Sequence, residues 1–251
     1  MQISTTMKKI VLLLGVLVSL TAAHVVFAQT TEGFIVYETK INTHRTLPPD
    51  RQEMKSMIPE FRSTKEQLAF NSTQSLYKPI EEDVVDEDVD DGQGVRLRFR
   101  TPMSEYFVDQ AASRKSILLE FIGKKYLIED SLTLVPWKFG TETKEINGYQ
   151  CRQASYYNEE KQQNIVAWYS DKFRPMLGPE GFNTLPGAVL QVDINDGERV
   201  ITAKQIDARP LKKNELKMSS GGIKTTQAEF KRLRDEHLEK MKANGANIII
   251  R

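Results

Sequence analysis

One cysteine in 251 residues rules out an intramolecular disulfide. It also removes every multi-cysteine metal or redox motif, and no CxxC occurs. Only three histidines are present, and one of them, His24, sits in the N-terminal apolar segment. The remaining two, His44 and His237, lie far apart in sequence and belong to no Ser/His/acid pattern. No GxSxG, Walker loop or GxGxxG is found, so nucleotide cradles and serine-hydrolase elbows are absent. Charge of either sign is not in excess. Removing Lys8 and Lys9 of the leader from the 35 basic residues leaves 33 against 34 acidic ones. That balance gives no electrostatic case for nucleic acid or an anionic membrane. The sequence leaves open a paired-carboxylate hydrolase, whose two acids need to meet only in space. On balance it reads as a non-enzyme.

The single long apolar run is at the start. Lys8-Lys9 precedes an apolar stretch from Ile10, and Val26-Phe27-Ala28 ends it with residues that signal peptidase accepts. The expected organisation is a signal peptide over 1–28, cleavage near Ala28-Gln29, and one β-rich domain over 29–251. No cysteine follows the apolar run, so the exported chain is not expected to be a lipoprotein. Cys151 reads as a small buried hydrophobe, since His44 and His237 are both far from it in sequence.

Alternating apolar residues mark short strands along most of the chain. They are expected over 33–42, 68–77 and 95–100, then over 105–110, 116–122 and 125–129, and later over 149–157, 165–169, 188–194 and 199–206. Gly123-Lys124, Asn147-Gly148 and Asp196-Gly197 supply turns. Two regions, 46–62 and 170–181, read as irregular, because prolines and glycines break them. Eight of the eleven residues in 81–91 are acidic, and the loop 81–92 is expected to stay solvated. Its spacing begins like a calcium loop. However, Asp91 stands where the Gly is needed, and no Glu stands where the bidentate ligand is needed.

The period changes near the end. Thr226 and Glu229 form a capping box, and Phe230, Leu233, His237 and Met241 recur at helical spacing. This predicts an amphipathic helix over about 226–243. His237 and Met241 lie one turn apart, so they are weak candidates for a soft metal such as copper. Met54, Met57 and Met218 would be their possible companions. No cofactor is expected.

The stretch 182–194, FNTLPGAVLQVDI, ties these pieces together. Leu185-Pro186-Gly187 is a turn in which Pro presets φ and Gly is expected to take φ > 0. A half-buried strand follows it. Trp137, the run 142–154 with Gly148, Tyr149 and Cys151, then Ala167-Trp168-Tyr169, Gly178-Pro179 and Leu185-Pro186-Gly187-Ala188-Val189-Leu190 resemble, in order and spacing, the GLPGLI family of exported Bacteroidota proteins. Two departures fall in the signature. Asn183-Thr184 replaces a Gly before Leu185, and Ala188-Val189-Leu190 replaces Gly-Leu-Ile. The resemblance implies a periplasmic protein with no established activity or catalytic residues. It also implies a mainly β fold, a strongly curved antiparallel sheet or half-barrel like that of lipoprotein carriers, with the helix near its C-terminus. The function expected from this is a non-enzymatic binding or accessory protein of the cell envelope, holding an apolar small molecule or lipid. Two alternatives are copper binding through the helix, and a structural module that docks on an outer-membrane protein such as a transporter. No nucleic-acid partner is expected.

Overall fold

The computed structural model describes residues 30–47, 49–80, 87–90, 96–99 and 104–243. The expected signal segment, most of the acidic run and residues 244–251 lie outside the described residues. The protein is mainly β. Its main sheet is open and has twelve strands, with one long helix near the C-terminus.

The first meander is β1 (Gly33–Asn42), β2 (Phe61–Phe70) and β3 (Gln74–Pro79). It continues after a separate hairpin of β4 (Glu87–Asp90) and β5 (Arg96–Phe99), so part of the expected acidic loop is a paired strand. Then come β6 (Ser104–Asp109), β7 (Arg114–Phe121) and β8 (Lys124–Ser131). The second meander is β9 (Lys138–Ile146), β10 (Tyr149–Asn158), β11 (Gln163–Ser170), β12 (Ala188–Ile194) and β13 (Arg199–Asp207). β1 and β13 pair antiparallel and join the two halves in mid-sheet. β14 (Ile223–Thr225) adds a parallel edge to β8.

Three register shifts interrupt the ladders, at Val36/Tyr37, Arg152/Ala154 and Trp168/Tyr169. An extra residue on one strand bends it and raises the local twist, which is how a wide sheet curves. The segment expected as one strand over 68–77 is two strands. Asn71 causes the break. Its side-chain oxygen accepts from the amides of Thr73 (3.0 Å) and Gln74 (2.7 Å), which closes the turn locally.

Period-2 alternation places Ile35, Tyr37, Leu68 and Phe70 on one face of the sheet, and this face is the core. Part of it is filled by residues 171–187, a stretch without regular structure. Phe173, Leu177 and Leu185 from this stretch are fully buried. The segment is irregular, as its prolines and glycines predict, and it is a plug. Its backbone groups are paired, as a buried loop requires. Thr30 N–H donates to Lys172 O (2.8 Å), Met176 N–H to Leu185 O (2.9 Å) and Val189 N–H to Leu177 O (2.9 Å).

The same face stays open on the other side. There it is bordered by a one-turn helix α1 (Thr43–Thr46), which a 3₁₀ helix over Pro49–Ser56 follows in the chain, and by α2 (Gln227–Ala243). The capping box of α2 forms as the spacing requires. The Glu229 amide donates to the Thr226 hydroxyl, and the Thr226 amide donates to the Glu229 carboxylate, each at 3.2 Å. Phe230 seats the helix on β8 and β7, with edge-on ring contacts to Tyr126 (5.4 Å) and Phe121 (5.5 Å). One turn further along the helix, Arg234 pairs with Glu160 on the β10–β11 connection (3.1 Å). The helix thus bridges two distant parts of the sheet. No helix among the described residues is long and apolar enough to cross a membrane.

Candidate functional site

Between α2 and the sheet lies a cavity of about 760 Å³, within the range of roughly 300–1,000 Å³ usual for small-molecule sites. One wall is apolar. Ile117, Leu119, Ile128 and Phe230 line it, and Ile41 and Ile58 continue it toward α1. The floor, by contrast, is polar. It is built from β1, β2, β3 and β13 by Thr39, Thr64, Glu66, Tyr77 and Arg199, with Glu180 descending from the plug. The expected apolar concave surface is therefore amphipathic.

The strand register explains this arrangement. Thr39 is two residues beyond Tyr37, and Glu66 is two before Leu68, so both point to the core face where the plug no longer covers it. Each oxygen of Glu66 takes one threonine hydroxyl, from Thr39 (2.8 Å) and Thr64 (2.5 Å). Arg199 and Glu180 form a bidentate pair at 3.0 and 2.8 Å. The tyrosines form a row from core to cavity. Tyr37 meets Tyr77 edge-on at 6.0 Å, and Tyr77 meets Tyr106 at 6.2 Å. The Tyr37 hydroxyl donates to Val189 O (2.7 Å). The Tyr77 hydroxyl is closed off from solvent and lies beside Glu66 and Thr39, the residue being only 3% exposed.

Burial pushes the Glu66 carboxyl above its ordinary value; hydrogen bonds from Thr64, Thr39 and Tyr77 oppose this, and the nearby Glu180 charge adds to it. Burial likewise pushes the Tyr77 phenol well up, and the charges of Glu66 and Glu180 reinforce the effect. A carboxyl raised in the folded state holds its proton to higher pH than in the unfolded chain. Its contribution to stability therefore falls as pH rises above the ordinary value of 4.5. Glu66→Gln is expected to melt at a higher temperature than wild type at pH 7, with the difference closing below pH 4.5. Melting curves at the two pH values check this, and a Gln variant less stable at pH 7 would refute it.

The residues singled out from the sequence lie elsewhere. His237 stands edge-on to Phe121 (5.6 Å), within the seam that holds α2 to the sheet. The His44 ring nitrogen Nε2 meets Ile58 O at 3.0 Å. Among the described residues, no three His, Cys, Asp or Glu side chains converge on a possible metal position. Cys151 is fully buried, and burial pushes its thiol up to about 11. That leaves it protonated at neutral pH, consistent with a packing role.

The signature residues are packing and turn elements. Trp137 Nε1 donates to the Thr184 hydroxyl (2.9 Å), and its ring meets Tyr156 edge-on at 4.7 Å. Tyr149 packs on Phe173 (4.8 Å), and Lys144 lies over the Trp168 ring (4.0 Å). Asn147 (φ 50°) and Gly148 (φ 77°) form the expected left-handed turn. Leu185 is buried in the plug and Pro186 precedes the close-packed Gly187. The expectation of φ > 0 at Gly187 is corrected, because Gly187 is not among the left-handed glycines. What excludes a side chain there is a neighbouring strand.

Sequence reading missed Glu66, Tyr77, Glu180 and Arg199. The one signal for them was an acid and a threonine on core-facing positions of neighbouring strands, and it becomes visible only once the register is known.

No family model matches the chain, and no curated protein matches it. Among solved structures it is similar to PNGF-II, in a P21 and a C2 crystal form. Each has a TM-score of 0.55 and 14% sequence identity over 81% of this chain. The chain spans about a third of PNGF-II, 33% and 32% in the two forms. At this identity the likeness is one of fold.

Proposed function

We propose that this chain is a non-enzymatic binding or accessory protein of the cell envelope, of GLPGLI type and periplasmic after export, that holds a small amphipathic molecule under α2. The cavity carries the reading. It joins an apolar wall able to take a hydrocarbon chain to a polar floor able to take a head group. Both floor carboxylates are already engaged, Glu66 by two hydroxyls and Glu180 by Arg199, which favours holding a ligand over transforming one. The helix that roofs the cavity is seated by few groups, chiefly Phe230 and the Glu160 pairs, so a ligand has a way in.

Native mass spectrometry of protein from its own host tests this, together with titration of a neutral fluorescent apolar probe. A co-purifying or titratable ligand is expected, and Leu119→Trp, which fills the apolar wall, is expected to abolish its binding while leaving the fold intact by circular dichroism. No bound species and no probe binding would end the proposal.

A further inference from the structure

We propose that α2 is a hinged gate over the cavity, latched by Glu160, and that release of this ionic latch admits the ligand. The inference rests on the binding role just proposed and deepens it by naming what controls access to the site.

The helix is held along two adjoining stripes. Phe230, Leu233 and His237 form one of them. Phe230 is 7% exposed and sits against Tyr126 and Phe121, and Leu233 packs on the same cluster. His237 meets Phe121 edge-on at 5.6 Å. This seam fixes α2 to β7 and β8, next to β14, the strand from which the helix starts. Lys231 and Arg234 form the second stripe, about a quarter turn further round at roughly 100° per residue. They reach the β10–β11 connection, which is nearly the whole sheet away in strand order. Among the described residues, both ion pairs made there end on Glu160, from Lys231 (3.6 Å) and Arg234 (3.1 Å). The cavity lies between these attachments. Gln227, Phe230 and Arg234 line it from the helix, and Glu160 and Lys161 line it from the connection.

Releasing the two stripes has very different costs. Lifting Phe230 would expose a buried aromatic ring, among the largest apolar groups a chain can bury. The Glu160 side chain is 54% exposed, so water already weakens its pairs. Neither cation is stranded when Glu160 lets go, because Asp235 accepts from Lys231 (2.8 Å) and from Arg234 (3.2 Å). The helix also moves as one body, since the Thr226–Glu229 capping box satisfies first-turn amides from within it. The motion of lowest cost is therefore a roll of α2 about its apolar seam, with Glu160 released and Phe230 kept in place. It opens the mouth between the helix and the β10–β11 connection.

A thiol placed under the helix reads this motion without any ligand. Ile128 lines the cavity on β8 and is 2% exposed. Labelling of the full Ile128→Cys protein is followed with 4,4′-dithiodipyridine, a neutral reagent, so that added salt acts on the protein alone. The native Cys151, fully buried in the other half of the sheet, reports global opening in the same sample. Adding Glu160→Gln is expected to speed labelling at position 128 by about threefold, as loss of one or two exposed ion pairs gives, and to leave Cys151 unchanged. Raising NaCl from about 50 mM to about 1 M is expected to do the same to the protein that keeps Glu160, and nothing to the Glu160→Gln protein. Labelling that Glu160→Gln does not change, or a salt response that persists in it, overturns the gate and leaves the binding role standing. If Ile128→Cys disturbs the fold by circular dichroism, Ile117→Cys, its register partner on β7 and also in the cavity wall, carries the same measurement. The link to binding is then read with the neutral fluorescent probe, which is expected to enter and leave about threefold faster in Glu160→Gln than in wild type. Faster labelling without faster probe exchange would show that the helix moves but does not admit the ligand, and the gate falls. If no probe binds at all, the binding role fails and the gate fails with it.

Discussion

Gly187→Ala is expected to lower the melting temperature by roughly 6–12 °C, from a penalty of about 3 kcal/mol at the ~2–4 °C per kcal/mol of a chain this size. A Cβ at this position would stand 2.7 Å from the carbonyl carbon of Ser170 and 3.1 Å from the amide nitrogen of Asp171, with the Ser170 oxygen closer still. All three are backbone atoms, so no rotamer change relieves the clash. Ser170 ends β11 and pairs with Ala188, the first residue of β12, and Leu177 bridges to Ala188 from the other side. The stretch is held between a strand end and the plug, and any shift there disturbs both. Backbone conformation is not the issue, because Gly187 does not have a left-handed φ. Gly181→Ala is the control, since a Cβ there meets nothing within 4 Å. It is expected to change stability by no more than about 0.5 kcal/mol. Scanning calorimetry of both variants decides the matter. A Gly187→Ala protein that melts within about 2 °C of wild type, less than one kcal/mol at this size, would show that the strand end gives way freely.

This position also shows what could be read from sequence and what could not. Leu185-Pro186-Gly187 was legible as a turn before a strand, because Pro and Gly constrain local geometry whatever surrounds them. The reason for the Gly was not legible. Close approach of residues 170 and 187 depends on two strands meeting, and composition carries no record of that. The mainly β class, the turns at Gly123, Asn147-Gly148 and Asp196-Gly197, and the helix with its capping box follow from period and local chemistry, and they stand in the structure. Strand order does not follow. It hinges on β1 meeting β13, residues that are far apart along the chain. The burial of the plug was not legible for a related reason. Pro175, Gly178, Pro179 and Gly181 mark broken backbone, and broken backbone is usually surface. Here Phe173, Leu177 and Leu185 in the same stretch carry it into the core. The floor was hidden most deeply. Glu66 is one of 34 acidic residues, and only the register of β2 against β1 turns it inward beside Thr39.

Arg174 makes the second large prediction, because it fastens that plug. The residue is 4% exposed. Its guanidinium donates through Nε to Asn71 O, through Nη2 to Gln74 O (2.8 Å), and through Nη1 to Pro175 O (3.0 Å) and Gln110 Oε1 (3.1 Å). The planar fork thus ties the plug to the β2–β3 turn and to the start of the β6–β7 turn. Arg174→Ala would take one donor from each of three carbonyls and an amide oxygen, of which Gln74 O keeps the Asn71 amide, in a site with little water. The expected loss is about 3–5 kcal/mol. Arg174→Lys should recover only part of it, since one ammonium cannot span four acceptors in fixed directions.

The pH dependence separates this cation from one held by a salt bridge. None of its four acceptors is a carboxylate. Burial pushes the guanidinium down to about 10 from its ordinary 12.5, so it is charged in both folded and unfolded chains at any pH well below 10. Only between those two values does the unfolded chain bind more protons than the folded one, and only there would the contribution of Arg174 rise with pH. The difference in stability between wild type and Arg174→Ala is therefore expected to be the same at pH 5 and pH 8. A carboxylate-held arginine would instead lose its contribution as the partner takes up protons. Denaturant melts of both proteins at the two pH values measure the difference directly. A gap that narrows on acidification would mean that an acidic partner, not the backbone carbonyls, holds the plug in place.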